Sequence, residues 1–216
     1  MEKKREWSLV SGENSRGSDM DFSPLTDAMA SKSYDKIADI CDQLKLQFAA
    51  DGVAFEDEWP YAIHLLGHLY VNDINSARFL WKSIPSAIKE NQSQVVAAWK
   101  IGQRLWTRDY AGVYEAIHGF EWSQEAQPLV AAFSEIYTKR MFQLLLSAYS
   151  TISIEDTALF LGMNEDDAKN YVQQQGWLED PASRMLTVKK QPIVIEQKLD
   201  PSKLQRLTEY VFHLEH

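Results

Sequence analysis

From Asp21 to about Tyr149 the apolar residues recur at helical spacing almost without a break, which leaves little room for anything but an α-helical fold. Ile37, Ile40, Cys41, Leu44 and Phe48 fall at i, i+3, i+4, i+7 and i+11, one face of a helix that Gly52 is placed to stop. Trp59, Ile63, Leu66 and Tyr70 form the next stripe, with Pro60 tolerable in a first turn. Ala77, Leu80, Trp81 and Ile84 form a third, stopped by Pro85. Val95, Trp99, Gly102 and Leu105 come next, then Tyr110, Val113, Tyr114 and Ile117, ending near Gly119. A longer helix begins around Pro128 and carries Leu129, Phe133, Ile136, Tyr137, Leu144 and Ala148.

A weak repeat runs through this part. Ser33-Tyr34-Asp35-Lys36-Ile37, Asp73-Ile74-Asn75-Ser76-Ala77 and Asp109-Tyr110-Ala111-Gly112-Val113 each set a polar residue before a large apolar one, with a smaller apolar residue three positions on. The anchors 34, 74 and 110 lie 40 and 36 residues apart, a period that suits stacked helical hairpins of the tetratricopeptide or HEAT kind. A non-repetitive helical bundle fits the same pattern.

After Tyr149 the texture changes. Ser153 is placed to cap a short helix ending at Leu161-Gly162, and Asn164 a second one, residues 165–175, closed by Gly176. Trp177-Leu178 and Met185-Leu186-Thr187-Val188 then read as two short strands around the turn Asp180-Pro181-Ala182-Ser183. Long helix, short helix, tight turn, second helix and β-hairpin is the order of a winged helix. Asp200-Pro201 opens a last helix in which Leu204, Leu207, Val211 and Leu214 form an a/d-type seam. Tyr210 widens that seam and Phe212 lies off it. The expected organisation is a tail over 1–19, a helical-repeat bundle over 20–149 and a winged helix over 150–190. A linker over 191–199 and an assembly helix over 200–216 complete it. The tail is polar and aperiodic, and is expected to be an artificial leader or a disordered segment.

Composition narrows the function. One cysteine in 216 residues excludes an internal disulfide and a Cys-based zinc site, and points to a reducing compartment. No apolar run approaches the roughly 20 residues of a bilayer helix, and the charged first ten residues do not read as a signal peptide, so no membrane partner is expected. The net charge of −9 disfavours nucleic acid and anionic surfaces as partners.

Helical repeats leading into a winged helix is the plan of the PCI family, the scaffolding domain of the proteasome lid, the COP-nine signalosome and a translation initiation factor. The stretch Asn75-Ser76-Ala77-Arg78-Phe79-Leu80-Trp81-Lys82-Ser83-Ile84-Pro85 resembles the subunit-eight branch, the smallest PCI subunits of the signalosome. So do 102–110, Gln174-Gln175-Gly176-Trp177 and the closing 207–215, and Met20-Asp21-Phe22-Ser23-Pro24 is similar to a plant form. The resemblance implies a non-catalytic subunit of the complex that removes a ubiquitin-like modifier from cullins and, in plants, represses light-dependent development. It implies other signalosome subunits as partners, subunit three as the neighbour, and a location in nucleus and cytoplasm. A small PCI subunit of the proteasome lid or of the initiation factor is the alternative within this architecture. A winged-helix nucleic-acid binder is the alternative outside it.

The chemistry-bearing residues read as structural. His64 and His68 have zincin spacing, but Leu65 stands where the catalytic glutamate would be and no third ligand is evident, so packing histidines are expected. Cys41 lies on an apolar stripe between Asp39 and Asp42, a setting that suppresses a thiolate. No phosphate loop, nucleophile elbow or Cys-x-x-Cys occurs, and neither enzyme activity, cofactor, metal nor small-molecule substrate is expected. The would-be recognition helix carries Glu165, Asp166 and Asp167 against Lys169, the wrong charge for a groove. Trp59, Trp81, Trp99 and Trp106 lie on helical stripes and are expected in the core, while Trp122 is placed to cover a joint between helices. The partner-binding residues expected are Trp177, Leu186, Thr187 and Val188 of the hairpin, as a sheet edge, and Leu204, Leu207, Tyr210, Val211, Phe212 and Leu214 of the last helix.

Overall fold

The computed structural model describes residues 20–52 and 57–189, together with Gln205, Thr208, Tyr210, Val211 and Phe212, which are helical. The tail over 1–19 and the linker over 191–199 lie outside the described residues. The fold is mainly α with one small antiparallel sheet, as the pattern of stripes requires.

The helical part comprises α1 (Ser23–Ala30), a 3-10 turn (Tyr34–Lys36), α2 (Ile37–Ala50), α3 (Tyr61–Tyr70), α4 (Ile74–Ser83), α5 (Ser86–Asn91), α6 (Ser93–Trp106), α7 (Tyr110–His118) and the 22-residue α8 (Gln127–Ala148). Three of its reversals share one backbone. After α1, α3 and α6 the chain passes through a left-handed residue, Lys32 (φ 56°), Asn72 (65°) and Arg108 (57°). The next residue then donates its N–H to a carbonyl five positions back: Ser33 to Ala28, Asp73 to His68 and Asp109 to Arg104, each at 2.9 Å. This is a Schellman closure of one helix. Asp73 and Asp109 at once cap the next helix, their carboxylates accepting from the N–H of Ser76 and of Gly112, both at 3.0 Å. The repeat faintly visible in the sequence is carried by these turns.

The centre of the stack is α3, which packs on α2, α4, α6 and α8. A helix enclosed this way is apolar all round rather than along one stripe. Leu65, Leu66 and Leu69 are fully buried, whereas Ile63 and Tyr70, expected on the stripe, are only half-buried. Trp59 and Pro60 precede the helix instead of starting it. The short α5 was not expected, because its single buried residue, Ile88, sets no period. At the far side, α8 joins the stack to the C-terminal part of the chain. Arg140 donates to the Tyr70 carbonyl at 2.6 Å, and Tyr137 packs between Phe133 and Tyr114, with ring centroids 5.9 and 5.1 Å away.

The winged helix comprises β1 (Thr151–Ser153), α9 (Ile154–Leu161), α10 (Glu165–Gln174), β2 (Leu178–Asp180) and β3 (Met185–Thr187). Both expected caps form: the Ser153 hydroxyl accepts from the Asp156 N–H at 3.0 Å, and the Asn164 amide oxygen from that of Asp167 at 2.7 Å. The sheet differs from the expected hairpin. Its order is β1-β3-β2, with Thr187 aligned to Thr151 on one side and to Leu178 on the other. The segment ahead of α9 supplies a third strand whose one buried residue, Ile152, is too little for a period-two signal. Trp177 is not in the strand but just before it.

Candidate functional site

The hairpin residues expected at an interface divide by where their side chains go. Trp177, Leu186 and Val188 are buried in the chain's own core, Leu186 completely, and Trp177 stacks on Phe142 of α8 with centroids 5.5 Å apart. Their apolar surface is already used. Thr187 is exposed but sits in the central strand, so it offers no free edge. The edges are β1 and β2, and the outward apolar group there is Leu178, a hairpin residue, 70 % exposed. The Trp177 indole N–H has no acceptor among the described residues, a cost that a core tryptophan seldom carries.

On the last helix, Tyr210, Val211 and Phe212 are helical and 60, 52 and 66 % exposed. Leu204, Leu207 and Leu214 lie outside the described residues.

The face that would read DNA is closed by its own charges. Lys169 of α10 pairs with Glu179 at 2.6 Å, and Arg184 pairs with Glu165. Glu165, Asp166 and Asp167 fill the first turn of α10, where they meet the positive end of its dipole. Two of the cations near this helix are thus spent on carboxylates. Of the tryptophans, Trp59 and Trp99 are core, and Trp81 stacks on Trp99 (5.6 Å, 11°). Trp122 covers the joint between α7 and α8 and donates to the Ile117 carbonyl at 2.8 Å. Trp106 is not core: it is 49 % exposed beneath the Arg78 guanidinium, 4.5 Å from its ring, with Phe79 of the same helix as Arg78 68 % exposed. A helical stripe counts spacing, and the outermost member of one can face water.

A buried polar cluster assembles across two helices. His64 and His68 of α3 are almost fully buried, and Asp42 of α2 reaches them from a half-exposed position. The Trp59 indole N–H donates to His64 Nδ1 at 3.2 Å, which leaves the ring's hydrogen on Nε2, and that group donates to Asp42 Oδ1 at 2.9 Å. His68 Nε2 lies 3.1 Å from His64 Nε2 and 3.7 Å from the same Asp42 Oδ1. The rings stack with centroids 4.8 Å apart. Burial holds His64 below the ordinary imidazole range despite its bond to Asp42, and the bond from His64 lowers the Asp42 carboxyl. The three ligand-type atoms lie within 4.8 Å of one another, close enough for one ion. A metal on His64 Nε2, however, needs the hydrogen on Nδ1 facing an acceptor, and Trp59 puts a donor there. Asp42 was missed as a partner because it stands 22 residues before His64. Burial also pushes the Cys41 thiol up, away from reactivity. No helix among the described residues is long and apolar enough to cross a membrane.

Comparison with known proteins bears on most of the chain. COP9 signalosome complex subunit 8 of Arabidopsis thaliana is 70 % identical over 197 residues, covering 91 % of this chain and 100 % of the relative. The Xenopus laevis protein of the same name is 37 % identical over 198 residues, 91 % of this chain and 100 % of the relative. That of Dictyostelium discoideum is 26 % identical over 199 residues, 91 % and 98 %. The family model described as CSN8/PSMD8/EIF3K matches residues 56–197, from the loop before α3 through the winged helix. With both the model and full-length relatives in agreement, the chain belongs to the CSN8/PSMD8/EIF3K family.

Proposed function

We propose that this chain is a non-catalytic structural subunit of a COP9 signalosome, assembling with the other subunits of a complex that deneddylates cullins and, in plants, represses light-dependent development, in nucleus and cytoplasm. The observation that carries the reading is the 70 % identity along the entire length of the Arabidopsis subunit 8. The geometry is compatible with assembly. Turns of one design stack the repeats, α8 ties that stack to the winged helix, and the sheet edge and the last helix each carry exposed apolar groups, as do other faces of the stack. The last helix enters a bundle with C-terminal helices of neighbouring subunits, and the β2 edge meets a neighbouring PCI subunit, subunit three by family resemblance.

Mass spectrometry of the complex recovered with the tagged chain should return signalosome subunits; recovery of proteasome-lid or initiation-factor subunits would assign the chain to another branch of its family. Leu207→Asp with Val211→Asp should abolish incorporation while the circular dichroism of the free chain stays nearly unchanged, because burying two charges in a shared bundle costs several times the roughly 2 kcal/mol per lost apolar contact. Normal assembly of that variant, or loss of its whole fold, defeats the bundle. The purified chain alone should leave a neddylated cullin uncleaved; cleavage proportional to its concentration would refute the non-catalytic role.

A further inference from the structure

The hydrogen bonds around His64 leave it no place for a second proton. We propose that Trp59, His64, Asp42 and His68 form a proton-sensitive latch, closed at neutral pH, that fastens the start of α1 to the repeat stack and opens on acidification.

The closed arrangement uses both nitrogens of His64, Nδ1 as acceptor from Trp59 and Nε2–H as donor to Asp42. An added proton goes to Nδ1, where it would meet the indole N–H head on, so Trp59 must leave. His68 stacks beside His64, with its Nε2 3.1 Å from His64 Nε2 and 3.7 Å from Asp42 Oδ1. His64 cannot be charged while the latch is shut. The groups acting on the pair are Asp42 and Lys45 from α2, His68 beside His64 on α3, and Asp73 from the α3–α4 turn, which interacts with His68. Among the described residues Asp42 is the anion that touches His64, and its exposure gives protons a route from solvent.

Trp59 transmits the event. It is 1 % exposed, and its ring lies 5.8 Å from Phe22 and 6.2 Å from Phe48, which are themselves 5.7 Å apart edge to face. Phe22 is the N-cap residue of α1, and α1 otherwise packs mainly on α2 and the 3-10 turn. Withdrawal of Trp59 removes one wall of the pocket that holds Phe22.

The test is native-state hydrogen exchange of the full chain at pH 7.5 and 5.5, corrected for intrinsic rates. If only the open form takes a proton, at an ordinary imidazole pKa of about 6.5, opening at the amides of 22–30 and 59–64 rises about tenfold over that interval, while α8 is unchanged. His64→Gln, which keeps a donor and an acceptor but cannot be protonated, should abolish the rise. Trp59→Phe should raise opening at pH 7.5 yet flatten the pH dependence, because Nδ1 becomes free to accept the proton inside the closed form. Ring ¹⁵N spectra of the unmutated chain should show His64 as the Nε2–H tautomer. Exchange independent of pH, an Nδ1–H tautomer, or stoichiometric zinc binding that requires His64 and His68 would each overturn the latch.

Discussion

Gly162 joins the two halves of the molecule, and adding one methyl group there should loosen them. It ends α9 at φ 65°, a left-handed conformation that costs a residue with a Cβ about 1 kcal/mol. A Cβ at this point would lie 2.3 Å from Cγ of Tyr114 on α7 and 2.5 and 2.6 Å from its two Cδ atoms, against the face of the ring. That ring cannot easily retreat: Tyr114 is 5 % exposed, its hydroxyl is 3.1 Å from that of Thr138, and it packs on Tyr137. Overpacking of this kind costs about 1–3 kcal/mol. Gly162→Ala should therefore destabilise the chain by about 3 kcal/mol, which for a protein of this size lowers Tm by roughly 6–12 °C. Gly52→Ala is the control. Gly52 has almost the same dihedral, φ 68°, but a Cβ there meets nothing within 4 Å among the described residues, so only the conformational part, about 1 kcal/mol, should appear. Thermal melts of the two variants by circular dichroism separate strain from collision. Tyr114→Ala in the Gly162→Ala chain should recover the steric part, a coupling of about 2 kcal/mol in a double-mutant cycle. Equal losses in the two glycine variants would refute the argument that the α7–α9 contact is rigid.

Local chemistry sets three further outcomes. Asp73→Ala and Asp109→Ala should each cost about 1 kcal/mol in urea unfolding, since each removes the cap of a repeat helix. Trp177→Phe should cost about 1 kcal/mol less than Trp59→Phe, because the first removes a donor without an acceptor among the described residues and the second removes one that is bonded to His64. The bonds from Ser76 hold the Asp73 carboxyl below its usual 3.8, so its stabilising share is complete above that pH and is lost as the pH falls through the lowered value; Asp73→Asn should remove this component from the acid-unfolding curve.

Wherever one segment's own atoms settle the matter, the sequence was sufficient. The helices from Ile37 to Ala148 other than α5 were legible from apolar spacing, and the ends of α9 and α10 from Ser153, Gly162 and Asn164, because a cap is set by residues a few positions apart. Even the repeat was legible, since its turns are local. Tertiary structure decided everything that needs two distant segments. Burial of α3 on every side comes from four neighbours, which no stripe within Tyr61–Tyr70 can announce. The third strand exists because Ile152 meets Leu186, 34 residues away, and that pairing turns Thr187 from an edge residue into a central one. The His64 cluster needs Asp42 from another helix and Trp59 from a loop. Without those contacts His64 and His68 are two histidines one turn apart; with them, the direction of a single indole N–H decides that the ring between Trp59 and Asp42 holds one proton and has no room for another.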